Sequence, residues 1–491
     1  MRRRSCKRTA TERNVWKVKM KKFLIICLAL CLALTCVGCI QAPVEDSDWD
    51  GKEEFTAADG MSEQTAINAA KYEEYKEKVG SAFALNEVTD TSCFKFETIG
   101  ENEVKITEYV GEESIVVIPE VIGDATVVAI GEGAFASATV RAVYVPDSVR
   151  AIEKGAFAGA SALVTLRVPF IGDGGENSHF GYIFGADSYE YHAVKVPATL
   201  EVVIVGAAES VADNAFAGCK TLCAIVLPET VTSIGKFAFY ECFGLVYANL
   251  GGSVVEVGNY AFGYCSSLFS LSFEGAERIG FGALYSCNSL YSLTLSFVGE
   301  TAESNRFLGY IFGAESADYN DDFVPVSLRE LSLVDCDEIP DRAFASCAYI
   351  AKFALGEGIK SFGVRAFYGC RSLKSIDMPE SLLSIGDDAL FGCDNLEAVD
   401  FGAGVESIGM QAFYGCRSLK SVAIPDKVTE IKSSTFALCE SLSSVELGNV
   451  KVVGKDAFKG CASLTPVDCN GIEVADGNAA LIAKPEVTTE K

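Results

Sequence analysis

Nineteen cysteines and two histidines are the side chains of this sequence with most chemistry to offer. Ten of the cysteines recur in one slot, three residues after a Phe or Leu: Cys219, Cys242, Cys265, Cys287, Cys347, Cys370, Cys393, Cys416, Cys439 and Cys461. In a secreted chain such regularity suggests a disulfide framework. The same slot also holds Ala138 and Ala160, so its common demand is a small, buried group. Side chains repeated on parallel strands about 4.8 Å apart miss the Cβ separation of about 3.5–4.5 Å that a disulfide needs. Free buried thiols are therefore expected. Cys219 and Cys223 are the nearest approach to a metal pair, but the repeat turns the first inward and the second outward, so no metal site is expected. With only His179 and His192, a histidine-rich cluster is excluded by count, although a single Cys–His or Ser–His pair is not.

The carboxylates fall at outward or turn positions, where a solvated surface explains them, and no phosphate loop or zinc helix is present. "GDGGEN" at 172–177 reads as loop chemistry. No cofactor is expected and the chain is not read as an enzyme. An enzyme acting on cell-surface polymer would need a cleft that gathers carboxylates distant in sequence.

The 491 residues are 49% hydrophobic, enough to bury a large core, and carry a formal charge of −26. Residues 1–38 are basic, so the rest is more acidic still. Such a surface repels phosphate backbones and argues against a nucleic-acid partner.

From Met20 the sequence "MKKFLIICLALCLALTCVGC" reads as a basic start, an apolar stretch and small residues, the pattern of a secretion signal. The four residues ending at Cys39 resemble a bacterial lipobox, which implies lipidation of Cys39 and a membrane contact through that lipid alone. The expected organisation is a leader over 1–38 and an acidic tether over 39–92, with a short helix in "AINAAKYEEYKEKVG". A repeat region over 93–470 and a tail over 471–491 follow.

The decapeptide "AFYGCRSLKS" stands at 366–375 and again at 412–421. An Ala-Phe pair, or its equivalent with Leu284, Leu390 or Phe436, recurs mostly every 22 or 23 residues. In "LKSIDMP", Leu373, Ile376 and Met378 point inward while Lys374 and Asp377 face water, giving a short strand stopped by Pro379. One such strand cannot bury its apolar face alone, whereas stacked coils bury each other's. The expected fold is a right-handed, β-rich solenoid of about 12–14 coils. Each Phe should lie over the Phe of the coil below.

The recurring "IG..AF..C.SL..I.LP" resembles the BspA-like, LRR_5-type leucine-rich repeat proteins of bacteria, over about residues 95–470. The resemblance implies a leucine-rich-repeat solenoid, a place on the bacterial surface, and adhesion to host or neighbouring cells. An extracellular protein or glycan would be the partner.

The period breaks at 157–216 and 284–344. "HFGYIFGADSYEYHAVKVPATLEVV" in the first break parallels "RFLGYIFGAESADYNDDFVPVSLREL" in the second, which implies a longer coil used twice. Its Tyr182, Phe184, Tyr310 and Phe312 are expected to form the coil's own core. Tyr247, Phe269 and Tyr291 fall on neighbouring coils of the presumed exposed sheet and are the expected ligand contacts; packing under an adjacent segment is the other explanation. A passive spacer that binds nothing is the alternative to a recognition protein.

Overall fold

The computed structural model describes residues 63–82, 87–136, 138–469, 471–478 and 481–482, all within one compact unit, Phe55–Lys491. The leader, the lipidation candidate Cys39 and most of the acidic tether lie outside the described residues.

A regular coil contributes two strands and a tight turn. The longer strand stacks in parallel on its equivalents, as in the six-stranded row running from Ile115–Val117 to Tyr247–Asn249. A two-residue strand, such as Ser233–Ile234 or Ser384–Ile385, stacks in a second parallel row. Register is held residue for residue, Ile225 beside Ala248 and Leu293 beside Leu331. A one-residue slip would turn the inward aliphatics out to water. In strand Ser375–Asp377, Ile376 is buried and both flanking residues are exposed, as the alternation predicts.

The turn carries the Ala-Phe pair. Phe216, Phe239 and Phe262 are wholly buried, with ring centroids 5.1 and 5.0 Å apart and nearly parallel planes. The Phe239 amide donates to the Ala261 carbonyl of the next coil at 2.7 Å, and Phe216 does the same to Ala238. Ala fits this slot because the neighbouring backbone is that close. The ladder thus joins coils through both rings and peptide groups.

Each turn needs left-handed backbone at two places. The residue before Ala-Phe is Gly133 or Gly155 in early coils but Asn214, Phe237, Arg365 and Gln411 later, all with φ between +55 and +72°. The residue before the cysteine slot is Gly218, Gly369 or Gly392, yet also Ser346 at φ +62°. A side chain costs about 1–2 kcal/mol in this conformation, partly offset by glycine's larger entropy when unfolded. Ser346→Gly should therefore raise stability by roughly 0.5–1 kcal/mol. A higher urea midpoint with unchanged slope is expected, and a lower midpoint would refute the assignment.

Where the sequence period breaks, the ladder does not. Phe184 packs against Phe157 with tilted rings at 6.1 Å and Phe180 packs on Phe216 at 4.9 Å, so "GYIF" supplies a coil of its own. Phe312 is likewise buried, whereas Tyr182 and Tyr310 are only partly so. The solenoid therefore has about 16 turns, more than the 12–14 read from the Ala-Phe spacing.

At the N-terminal end, Phe94–Gly100 pairs antiparallel with Glu103–Tyr109, which in turn pairs parallel with Ala125–Ile130. Helix α1, Glu63–Ala82, is the expected short helix, and it packs against the outward sheet face.

Candidate functional site

The thiols of the cysteine slot are free and buried. Cys242 donates to the Phe216 carbonyl at 3.2 Å, Cys416 to Leu390 at 3.4 Å and Cys439 to Phe413 at 3.2 Å, always one coil back. Burial pushes these thiols up, Cys461 to about 11 and the deeper ones higher. They are structural donors, not nucleophiles.

His192 is fully buried, and its ring ties three segments together. Nδ1 lies 2.8 Å from the Ala217 carbonyl, Nε2 accepts from the Gly181 amide at 3.1 Å, and His179 Nδ1 is 3.2 Å from that same Nε2. The bond to a carbonyl puts the proton on Nδ1. In the second long coil Asn320 takes the same place: its Oδ1 accepts from Gly309 at 2.8 Å and its Nδ2 donates to Ala345 at 3.0 Å. Gly181 and Gly309 are required here, because a Cβ would come within 2.4 Å of the His192 ring or 2.6 Å of Asn320 Oδ1. His192 is thus a staple for which an amide substitutes. Cys219 Sγ lies 3.8 Å from His192 Nδ1, but burial raises the Cys219 thiol and lowers His192, so the pair is neutral and closed to solvent.

Carboxylates do comparable work at the surface. Asp213, Asp341 and Asp387 each accept, at 2.7 Å, a backbone N–H of the following coil. No Asp or Glu is buried among the described residues, and none of their His, Cys, Asp and Glu form a group able to hold a metal. No described helix is long and apolar enough to cross a membrane.

What distinguishes one part of the outward face is its side chains. In the C-terminal coils these are exposed polar groups such as Ser375, Asp377, Ser444 and Glu446. Between residues 202 and 291 they include the apolar Val202, Ile204, Ala224, Val226, Tyr247, Phe269 and Tyr291, with the polar Asn249, Ser270 and Ser272 on the same strands. Phe269 and Tyr291 stack at 5.4 Å with planes 5° apart. The three expected ligand contacts thus lie together, half-buried.

Part of that half-burial comes from α1. Tyr72 meets Tyr247 at 5.3 Å and Phe269 at 5.5 Å between ring centroids. Tyr75 and Val79 form a second apolar cluster with Val202, Ile204, Ala224 and Val226. The Tyr75 hydroxyl donates to Glu201 Oε2 at 3.1 Å, and Lys78 Nζ lies 3.6 Å from the same carboxylate.

A second aromatic set lies along the turns and was not foreseen from sequence. Phe237 stacks on Tyr260 at 5.5 Å, and Tyr240, Tyr264 and Tyr285 follow edge to face at 5.4 and 5.3 Å. Its signal was present in the aromatics directly after a ladder residue, Tyr240 and Tyr285 among them.

The sequence pattern of the BspA type leucine rich repeat region matches in six copies, over residues 92–174, 196–310 and 337–465, about two thirds of the chain. The gaps fall on the two long-coil excursions. Among solved structures, a leucine-rich repeat protein from Bacteroides ovatus is 21% identical, with 73% of this chain and 99% of that one covered and a TM-score of 0.34. A leucine rich cell surface protein from Faecalibacterium prausnitzii is 22% identical, with 81% and 97% covered and a TM-score of 0.28. A leucine-rich repeat protein from Eubacterium ventriosum is 16% identical, with 82% and 96% covered and a TM-score of 0.34. No curated protein matches the sequence.

Proposed function

We propose that this chain, which belongs to the BspA type leucine-rich repeat family, is a non-catalytic recognition protein that adheres to a protein or glycan on host or neighbouring cells. A lipid on Cys39 holds it outside the bacterial membrane, and the acidic segment that follows keeps the repeats clear of the surface. Binding needs no cofactor: several coils present side chains at fixed spacing, and shape and avidity supply the affinity.

The observation that carries this reading is the gathering of aliphatic and aromatic side chains at Val202, Ile204, Ala224, Val226, Tyr247, Phe269 and Tyr291 on a sheet face that is polar in the C-terminal coils. Clustered aromatics on a rigid face contribute large contact area at small entropic cost. The contact residues of this reading are Tyr247, Phe269 and Tyr291.

Binding of the protein to arrays of extracellular-matrix proteins, bacterial surfaces and glycans tests it, with the Tyr247→Ala, Phe269→Ala, Tyr291→Ala triple variant alongside. Saturable binding is expected, reduced at least tenfold in the folded triple variant. Binding that survives the variant would move the contact face elsewhere. No binding on any array would favour the passive spacer, a reading to which the packing of Tyr72 on Tyr247 and Phe269 lends weight.

A further inference from the structure

The helix α1 is thinly attached. Its inner face is Thr65, Asn68, Tyr72, Tyr75 and Val79, a three-four spacing that brings five residues to one side of a helix. Of these only Tyr72, Tyr75 and Val79 are apolar contacts, and Asn68 Nδ2 is buried without a hydrogen-bond partner. Most of a protein helix's stability comes from packing of one face instead of intrinsic propensity, so the order of these 20 residues depends on this contact. The face beneath it is different in kind. Val202, Ile204, Ala224 and Val226 are outward residues of strands that also bury Val203, Val205 and Ile225 inward, giving strands apolar on both sides. Such strands are made to be covered.

We infer that α1 is a displaceable cover over a helix-binding face, and that the partner received there is a protein segment forming an amphipathic helix with aromatic and aliphatic residues at the spacing of Tyr72, Tyr75 and Val79. This rests on the recognition reading above and assigns the partner class. The cover itself shows which chemistry fits: two tyrosines against Tyr247, Phe269 and the Cys223 side of the sheet, an aliphatic group against the valines, and a cation beside Glu201. A helix laid into an apolar groove is a common mode of peptide recognition. While α1 is attached it competes at a high effective concentration, and only a partner matching these contacts displaces it. The acidic segment, on the N-terminal side of α1, connects the cover to the membrane anchor of the proposed function.

Cys223 reports the state of the cover, because the Tyr75 hydroxyl faces its half-buried thiol while Cys242 is sealed in the core. Alkylation of the intact protein by N-ethylmaleimide, read peptide by peptide by mass spectrometry, follows it. In the native protein Cys223 should react at least 100-fold faster than Cys242. In the Tyr72→Ala, Tyr75→Ala variant it should react at least tenfold faster again, since Ala preserves the helix and removes only its anchors. A synthetic peptide of residues 63–82, added at millimolar concentration to that variant, should slow the reaction, and adding Val226→Glu should abolish the protection. Equal rates at Cys223 and Cys242 in the native protein would show a permanently closed face and overturn the inference. So would failure of the two alanines to accelerate labelling, or failure of the peptide to protect. If the recognition reading alone is wrong, the arrays stay blank while the labelling results stand; if the cover is wrong, labelling fails whatever the arrays give.

Discussion

Phe239→Ala lowers the stability of the solenoid by about 3–5 kcal/mol. The ring is wholly buried and stacked on both sides, 5.1 Å from Phe216 and 5.0 Å from Phe262. Its removal deletes one large transfer contribution and leaves a cavity that the strands on either side hold open, because their register is fixed by ladder hydrogen bonds. Stability in a repeat array is close to a sum of coil and nearest-neighbour contributions, so the loss is felt at two interfaces. Phe458, whose ring has one stacking neighbour among the described residues, Phe436 at 5.5 Å, supplies the comparison. Phe458→Ala should cost distinctly less. Urea unfolding followed by circular dichroism measures both, and equal costs would show that the ladder acts as separate pockets instead of a stack.

Acidification weakens the first long coil, and His192 is the reason. Burial pushes its pKa down to about 4 from an ordinary value near 6.5; the Ala217 carbonyl opposes the shift and His179 adds slightly to it. The cause is visible in the bonds: Nε2 is an acceptor for Gly181 N–H, and a proton there would set two donors face to face. The unfolded chain thus binds the proton more readily than the folded one. The stability held by neutral His192 is fully present above about pH 6.5 and is lost progressively as the pH falls towards 4. A shift of this size corresponds to about 3 kcal/mol. Around it, Cys219 stays neutral and His179 is itself lowered by burial, so no neighbouring cation or carboxylate reverses the sign. In His192→Asn, with the residue that the second long coil uses at position 320, this pH dependence should be absent. Amide hydrogen exchange over residues 180–196 at pH 7 and 4.5 measures it. A native coil as protected at 4.5 as at 7 would contradict the assignment.

The repeating frame could be read from sequence because its demands recur in every coil. A buried ring, a small group beside it and an inward aliphatic must return, and Phe367, Cys370 and Ile376 reappear as Phe413, Cys416 and Val422. The free state of the thiols was legible for the same reason, since a slot that also accepts Ala160 is defined by size. The long coils were harder. There the ladder residue is reached through Ile183-Phe184 instead of Ala-Phe, so a search for the pair skips a turn that the backbone makes. The cover was hidden for a different reason. Two of the five inner residues of α1 are Thr65 and Asn68, so its periodicity does not show as an apolar stripe. A sign did exist on the other side: "VVIV" at 202–205 is apolar without alternation, which marks a strand buried on both faces. The staple formed by His192 required the fold, because Gly181, His192 and Ala217 meet only when adjacent coils stack.

The antiparallel strand Phe94–Gly100 changes what the N-terminal end of the array offers to another chain. Among the described residues the coils from Ala142 onward join through parallel strands, and an open end of that kind is a template on which another chain's coil could continue. Reversing the first strand breaks the template, since the next hydrogen-bonding pattern no longer matches a parallel coil. Lys95 and Glu97 on this strand, paired with Glu108 at 2.6 Å and Lys105 at 2.8 Å, add charge to that edge. The hairpin thus leaves the N-terminal end of the array without the parallel surface that a further coil of the same kind would extend.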